Sequence, residues 1–446
     1  MLKYLRLSLL FILSILFSTK AQAQINCNFN ISLPDSICAG ANFSAFVNTA
    51  PTNTVRWDFC GGDAALQPTL LIGSNLAGTV SLSSLRIIED GGNFYGFVLS
   101  SGTNQLIRLD YGADPNNPNP VLNFLSPTGG VITNPGALDL YKEGAEWYGL
   151  LTNRGSQQVF RLSFGNSIEN NPTITILNVG GNITSQAVRL IRQDNTVFGF
   201  VASQGTDQLT ILNFGGSITN TPTFRNIAPG TALRDIEVLN YCGNTYLFAI
   251  NSSNRLLKIS FLNGVANTPA IADISFNIAP QGFAELNDLS YYFDLGRLYL
   301  FFQGRNATGQ ILARGMLQSP VSSSFASQAL ITSGISAPIF GLQPVNTTGS
   351  QFSLQGLYTS ISASLQRQVL FNFPNTCSAT LNTATGAFPT GLNYTSGGKK
   401  FINVEITDAN NNFTTQTDSI FIVDGVFAKP TYNKECTSQL YSFNAN

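Results

Sequence analysis

The sequence predicts an all-β chain in which a six-bladed β-propeller is inserted into an Ig-like β-sandwich. Three observations predict it. Helical periodicity is nearly absent, and short runs of Val, Ile, Leu, Phe and Tyr alternate with Gly, Asn, Ser, Thr and Pro. A pattern of four such runs recurs about every 50 residues, the size of one propeller blade. The stretches outside the repeats, 25–60 and 377–425, together have the length of one Ig-like sandwich.

Along the chain, the first element is an export signal over 1–23. Lys3 and Arg6 supply its charge, Leu7 to Phe17 its apolar stretch, and Ala21-Gln22-Ala23 its cleavage site. The apolar stretch is too short to span a bilayer, and no later stretch is apolar enough to do so. Cys27 follows Ile25-Asn26, which is not a lipoprotein box, so no lipid anchor is expected.

The repeats are carried by Phe94-Tyr95-Gly96-Phe97, Trp147-Tyr148-Gly149-Leu150 and Val197-Phe198-Gly199-Phe200. Tyr111-Gly112, Phe164-Gly165 and Phe214-Gly215 keep the same intervals, and Pro120, Pro172, Pro222 and Pro269 each open a further run. First-type runs lie at 84–88, 136–141, 187–191, 235–239, 287–293 and 338–343. Fourth-type runs lie at 68–73, 120–125, 172–178, 222–227, 269–276 and 326–332. The series starts on a fourth-type run and ends on a third-type run at 367–373, so the first strand would complete the last blade and leave no sheet edge open. A β-solenoid is the competing repeat fold, but it needs no such permutation. The propeller is assigned to 61–376, with sandwich halves at 24–60 and 377–425 and a linker and further module at 426–446.

The sandwich halves contain Trp57-Asp58-Phe59 and a run from Tyr394 through a glycine turn to Val404-Glu405-Ile406-Thr407-Asp408. On these residues the sandwich resembles the PKD family of extracellular domains, although Cys60-Gly61-Gly62-Asp63 replaces the usual G-D-G. The organisation resembles surface adhesins of gliding Gram-negative bacteria. That resemblance implies a secreted, cell-surface protein carried out by a secretion machinery, with PKD modules as spacers.

Composition narrows the chemistry. The 446 residues include no histidine, which removes Ser–His and Cys–His catalytic pairs and His-based zinc sites. With 23 basic and 24 acidic residues there is no basic surplus for nucleic acid. Cys60 and Cys377 sit at the seams between repeats and sandwich, so closure of the ring predicts a disulfide between them. Cys242 and Cys436 are expected to lack intramolecular partners, and Cys27 and Cys38 are candidates for a pair.

Two recurrences are candidate binding features. Arg86, Asp139, Arg189, Glu237 and Asp288 punctuate first-type runs and would ring the propeller channel. They can hold a polar ligand, or their opposite signs can satisfy one another. Loops with Thr103 and Gln105, Ser156 and Gln158, and Thr206 and Gln208 would share one face. They can hydrogen-bond sugar hydroxyls, or they can be ordinary turns. No catalytic motif is present, no cofactor or metal site is indicated, and nothing places two acids together. The expectation is a non-catalytic surface adhesion protein, with the propeller as binding platform for an extracellular glycan or surface protein. The alternative is a secreted propeller enzyme acting on polysaccharide.

Overall fold

The computed structural model describes residues 29–179, 185–274, 283–306, 309–331, 338–346, 352–358, 366–374, 377–379, 381, 383–408, 413–423, 427–429, 432–434 and 441–442. The segment 1–23 read as an export signal, Cys27, Cys436 and residues 180–184 and 409–412 lie outside them.

Six four-stranded antiparallel sheets dominate the described residues, an arrangement typical of a β-propeller. The first sheet runs Leu82–Asp90, Asn93–Ser100, Gln105–Gly112, Val121–Phe124; the second runs Pro135–Glu143, Glu146–Asn153, Gln158–Gly165, Thr173–Leu177. The inner strands of the other four are Ser185–Gln193, Leu233–Tyr241, Glu285–Asp294 and Ile339–Asn346. Each inner strand neighbours the next, and the sixth returns to the first. The sixth sheet is finished by Thr69–Asn75, which pairs with Arg367–Asn372 with Leu70 opposite Phe371. A strand from the start of the chain therefore closes the sheet made by its end.

Every junction between successive sheets is filled by a hydrophobic cluster. Phe97 and Phe164 meet between the first two sheets, Phe200 and Phe261 between the third and fourth, and Phe301 and Phe352 between the fifth and sixth. Leu85 and Val98 of the first sheet pack with Leu357 of the sixth. Each fully buried phenylalanine contributes about 1.5–3 kcal/mol relative to exposure. The glycine of the repeat has a packing reason: a Cβ on Gly199 would stand 2.9 Å from Leu150 Cδ1 in the preceding sheet.

A second tie crosses most junctions. A cation of one sheet donates to backbone carbonyls of the turn before the outer strand of the next. Arg108 reaches Glu169 O, Arg161 reaches the carbonyls of Ile218, Thr219 and Asn220, and Lys258 reaches those of Val321 and Ser322. Arg225 does the same for Val265 and Asn267, and Arg314 for Ala64, Ala65 and Leu66. Arg108, Arg161, Lys258 and Arg314 hold the equivalent register position, opposite Phe97, Leu150, Phe248 and Phe301. In the third sheet that position is Ile211, and its cross-strand neighbour Arg225 takes over.

The flanking segments build one further unit. In its five-stranded sheet, Thr54–Asp58 from before the repeats lies between Gly398–Thr407 and Thr383–Thr385 from after them. Trp57 and Tyr394 are fully buried in its core. Trp57 Nε1–H donates to Gly386 O at 2.8 Å, and the Tyr394 hydroxyl donates to Phe59 O at 2.9 Å. Cys60 and Cys377 are joined, as expected, across a sequence separation of 317 residues. One expectation is corrected. Cys242 is disulfide-bonded, as is Cys38, and none of the described cysteines is free.

The flanking unit packs on the hairpin ends of the inner strands. Phe413 meets Phe293 at 4.9 Å, and Cys242 N–H donates to Phe413 O at 2.9 Å. Beside them the buried Asp294 carboxylate accepts the N–H groups of Gly62 and Ala64 at 2.6 and 3.0 Å, fixing the chain where it enters the repeats. One end of the axis is thus covered, and function must be sought at the other or between.

Candidate active site

The charges on the inner strands meet at the axis, but not as a single ring of five. Arg86, Asp139, Arg189 and Glu237 stand at equivalent positions, opposite Phe97, Leu150, Phe200 and Phe248. The equivalent residue of the fifth sheet is Ser290, opposite Phe301. Asp288 lies two residues earlier, in a second layer with Asp235.

The first layer is cross-linked. Arg86 Nε lies 3.1 Å from Asp139 Oδ1, and Arg86 Nη2 lies 3.5 Å from Glu237 Oε1. Arg189 Nη2 approaches the same Glu237 oxygen at 2.7 Å and Asp235 Oδ1 at 3.5 Å. Arg86 Nη1 also donates to Gln343 Oε1 at 2.9 Å. The expected pairing of opposite signs is present, with Asp235 and Gln343 as members the sequence reading did not name.

The carboxylates also serve the backbone. The inner strand of a sheet has an unpaired edge, and acids of the preceding sheet satisfy it. Leu190 N–H donates to Asp139 Oδ2 at 2.6 Å, and Leu289 N–H donates to Asp235 Oδ2 at 2.9 Å. Gly341 and Leu342 N–H donate to the two oxygens of Asp288 at 2.6 and 3.0 Å. The side chains are thereby held in fixed orientations.

Their protonation is displaced upward. Burial pushes Asp139 up to about 8, with the Glu237 charge adding to it and the Leu190 N–H opposing. Burial likewise pushes Asp235 up to about 6 against the opposing pull of Arg189. Asp288 is driven well above the ordinary carboxylate range by burial and by the negative charge of Asp235. Glu237 is raised by burial, with Arg189 opposing. Two neighbouring carboxyls unequally displaced are what acid–base chemistry requires.

The cross-linked layer divides the axis into two cavities. One, of about 570 Å³, lies toward the flanking unit and is lined in part by Glu405 and Phe413 of that unit. The other, of about 640 Å³, lies at the opposite mouth. Asp235, Glu285 and Asp288 line it together with Arg86, Arg154, Arg189 and Arg234. The serine hydroxyls at 81, 83, 84 and 101 add hydrogen-bonding capacity. Among the described residues no cluster of three or more acids and cysteines is arranged to hold a metal ion.

The loop residues fall beside this cavity rather than in it. Thr103 Oγ1 lies 2.6 Å from Ser100 Oγ and 2.8 Å from Gln105 Oε1 of its own turn, and Ser156 Oγ accepts from Asn153 Nδ2 at 2.7 Å. Gln105, Gln158 and Gln208 open the third strands of their sheets, and Thr206 lies in the turn before Gln208. Asn104, Gln157 and Asp207 between them have φ of 57°, 55° and 50°, so the recurrent pattern has the geometry of a tight left-handed turn. The same loops give the cavity Ser101, Arg154 and Gln204 instead.

No family profile and no curated protein matches the chain. Solved structures of similar strand arrangement do. An exo-β-1,3-galactanase from Phanerochaete chrysosporium is 10% identical, with 66% of this chain and 91% of that chain covered and a TM-score of 0.40. The phage phi92 endosialidase is 11% identical over 70% of each chain, with a TM-score of 0.49. An α-L-arabinofuranosidase from Podospora anserina is 10% identical over 70% of this chain and 98% of its own, with a TM-score of 0.43. The likeness concerns fold only. The expectation of an adhesion protein that catalyses nothing is corrected on these findings: glycoside hydrolases stand among the similar structures, and the axis gathers the carboxyls that the sequence reading did not bring together.

Proposed function

We propose that the chain acts on polysaccharide, cleaving a glycosidic bond in the axial cavity on the side away from the flanking unit. The observation that carries this reading is the meeting of Asp235, Glu285 and Asp288 with serine hydroxyls and guanidinium groups in one cavity. Asp288, driven toward its neutral form, is the proton donor to the departing glycosidic oxygen. Asp235 is the carboxylate that takes the proton of the attacking water. The bond between sugar carbon and bridging oxygen breaks, water's oxygen bonds to that carbon, and two hydroxyl-terminated products leave. The backbone N–H bonds fix both carboxyls before the substrate arrives, and at Asp288 burial and the Asp235 charge outweigh the pull of the Gly341 and Leu342 N–H groups toward the charged form.

The framework proposed for this site is a six-bladed propeller at 61–376 spliced into a PKD-like sandwich formed by 24–60 and 377–425. The six sheets and the buried Trp57 and Tyr394 support it. Export after a signal at 1–23 to the outside of a Gram-negative cell is part of the same proposal. The Cys60–Cys377 disulfide, which persists in an oxidising compartment, supports it.

The test is release of reducing ends from a panel of neutral and acidic polysaccharides by the full chain, Asp288→Asn and Asp235→Asn. Turnover by the parent and at least a hundredfold loss in both variants is expected. Turnover that survives both substitutions would remove the axial cavity from the reaction.

A further inference from the structure

We propose that Arg189 is the positioning residue of the axial site: by pairing with Asp235 and not with Asp288, its guanidinium makes Asp235 the carboxylate that receives water's proton and leaves Asp288 to donate one. This rests on the reading of the cavity as the polysaccharide site and deepens it by naming the residue that divides the roles of the two acids.

Without that pairing the two acids are alike. They hold equivalent positions in adjacent inner strands, Asp235 opposite Ile250 and Asp288 opposite Gln303. Both residues are 8% exposed. Each accepts two backbone N–H groups: Leu289 and Ile236 at 2.9 Å for Asp235, Gly341 at 2.6 Å and Leu342 at 3.0 Å for Asp288. Burial and backbone therefore do not separate donor from acceptor, and two carboxyls need unequal surroundings to take opposite roles. The inequality is Arg189. Its Nη2 lies 3.5 Å from Asp235 Oδ1, whereas among the described residues Asp288 has no ion pair. A cation so close favours the charged carboxylate. In keeping with this, Asp235 is pushed up to about 6 with Arg189 opposing, while Asp288 rises well above the ordinary range.

Arg189 is held where it can act. Only 8% exposed, it donates through Nη1 to Val188 O and through Nη2 to Glu237 Oε1, both at 2.7 Å. Glu237 follows Asp235 by two residues, so one guanidinium grips two acids of a single strand. Its charge is permanent, because guanidinium does not lose its proton in proteins. The other groups facing these acids are accounted for. Glu237 adds its negative charge to Asp235 and also meets Arg86 Nη2 at 3.5 Å, while Arg86 pairs with Asp139. Asp288 faces the Asp235 charge and, more weakly, that of Arg189. Tyr291, kept neutral by burial, stands near Glu237, Asp139 and Arg189. Arg154, Arg234 and Glu285 complete the charged lining; Arg234 donates to Leu286 O, and Glu285 accepts from Arg305.

The experiment follows the two acids by carbon-13 NMR of the full chain labelled at its aspartate carboxyls, with Asp235→Asn and Asp288→Asn assigning the two signals. In the parent, Asp235 is expected to titrate below Asp288. In Arg189→Met the Asp235 midpoint should rise by at least about one pH unit, and in Arg189→Lys by less. Thermal midpoints report whether each variant is folded. The acidic limb of the kcat/KM profile for saccharide turnover should move up with the Asp235 midpoint, which a merely structural role for Arg189 would not produce. Asp288 titrating at or below Asp235 would overturn the proposal in the parent protein alone. So would a folded Arg189→Met whose Asp235 midpoint stays at the parent's value. Failure here is separable from failure of the polysaccharide reading. Turnover lost in Asp288→Asn, with a pH profile that ignores Arg189→Met, would keep the site and reject Arg189. The expected titrations with no polysaccharide turned over would reject the polysaccharide reading and keep the hold of Arg189 on Asp235.

Discussion

Replacing Arg314 by methionine tests how the ring is tied. Arg314 lies in the third strand of the fifth sheet, is only 9% exposed, and donates to the carbonyls of Ala64, Ala65 and Leu66. Those carbonyls belong to the short turn that feeds the closing strand Thr69–Asn75. Methionine keeps most of the apolar stem and removes all donors. A hydrogen bond to a charged group contributes about 1.5–3 kcal/mol, and a buried carbonyl left unpaired costs about 1–3 kcal/mol. Three bonds to one guanidinium do not add, and burial of the cation carries its own penalty, so a loss of about 3 kcal/mol is expected. For a unit of this size that lowers the thermal midpoint by about 5 °C. The control is Arg305→Met, an exposed pair with Glu285 that contributes less than about 1 kcal/mol. Differential scanning calorimetry of parent, Arg314→Met, Arg314→Lys and Arg305→Met is the assay, with the lysine variant intermediate. A methionine variant no less stable than the Arg305 control would refute the idea that these cation–carbonyl ties hold the sheets together.

Four further outcomes follow from the same contacts. Asp139 and Asp235 have folded-state pKa values above the unfolded value of about 3.9, so the folded protein holds protons that the unfolded chain gives up. Stability is therefore fullest below pH 4 for these groups and falls as pH rises through 6 and then 8; Asp139→Asn, which can still accept from Leu190 N–H, should flatten that fall in urea midpoints measured at pH 5 and pH 8. Breaking Cys60–Cys377 by Cys60→Ala/Cys377→Ala opens a loop of 317 residues and should lower stability by up to about 5 kcal/mol in non-reducing urea titrations. Phe413→Ala removes the ring against Phe293 and should raise amide exchange at Cys242, whose N–H donates to Phe413 O. Alanine at Gln105, Gln158 and Gln208 should leave saccharide turnover within twofold of the parent, because these side chains stand outside the cavity lining.

What was legible in the sequence has a common physical basis. The glycine at 96, 149 and 199 recurs because a Cβ there would crowd its surroundings, Tyr111 and Leu85 of the same sheet at Gly96, the inner strand of the same sheet at Gly149 and Leu150 of the preceding sheet at Gly199, and that spacing revealed the repeat. The closing strand was legible because a fourth-type run precedes the first complete copy, and the Cys60–Cys377 bond followed from the seams. What was missed depends on register or on meetings between repeats. The fifth inner strand carries Ser290 at the first-layer position, so the nearest charge in its run, Asp288, reads as a member of that layer although it lies at the position of Asp235. Arg154, Arg234 and Glu285 occupy unrelated positions of three repeats, and only the ring brings them to one mouth. The cation–carbonyl ties escaped notice because Arg225 carries that role from the fourth strand, where no repeat pattern marks it. The acids capable of chemistry were named in part, but their proximity is a property of closure and not of spacing.

The most direct measurement is a crystal structure of Asp288→Asn soaked with an oligosaccharide that the parent cleaves. The account predicts a sugar ring in the axial cavity on the side away from the flanking unit, with its scissile oxygen beside residue 288 and Asp235 across from it. A saccharide bound instead on the loops of Gln105, Gln158 and Gln208, or on the flanking unit, with the axial cavity holding only water, would contradict it.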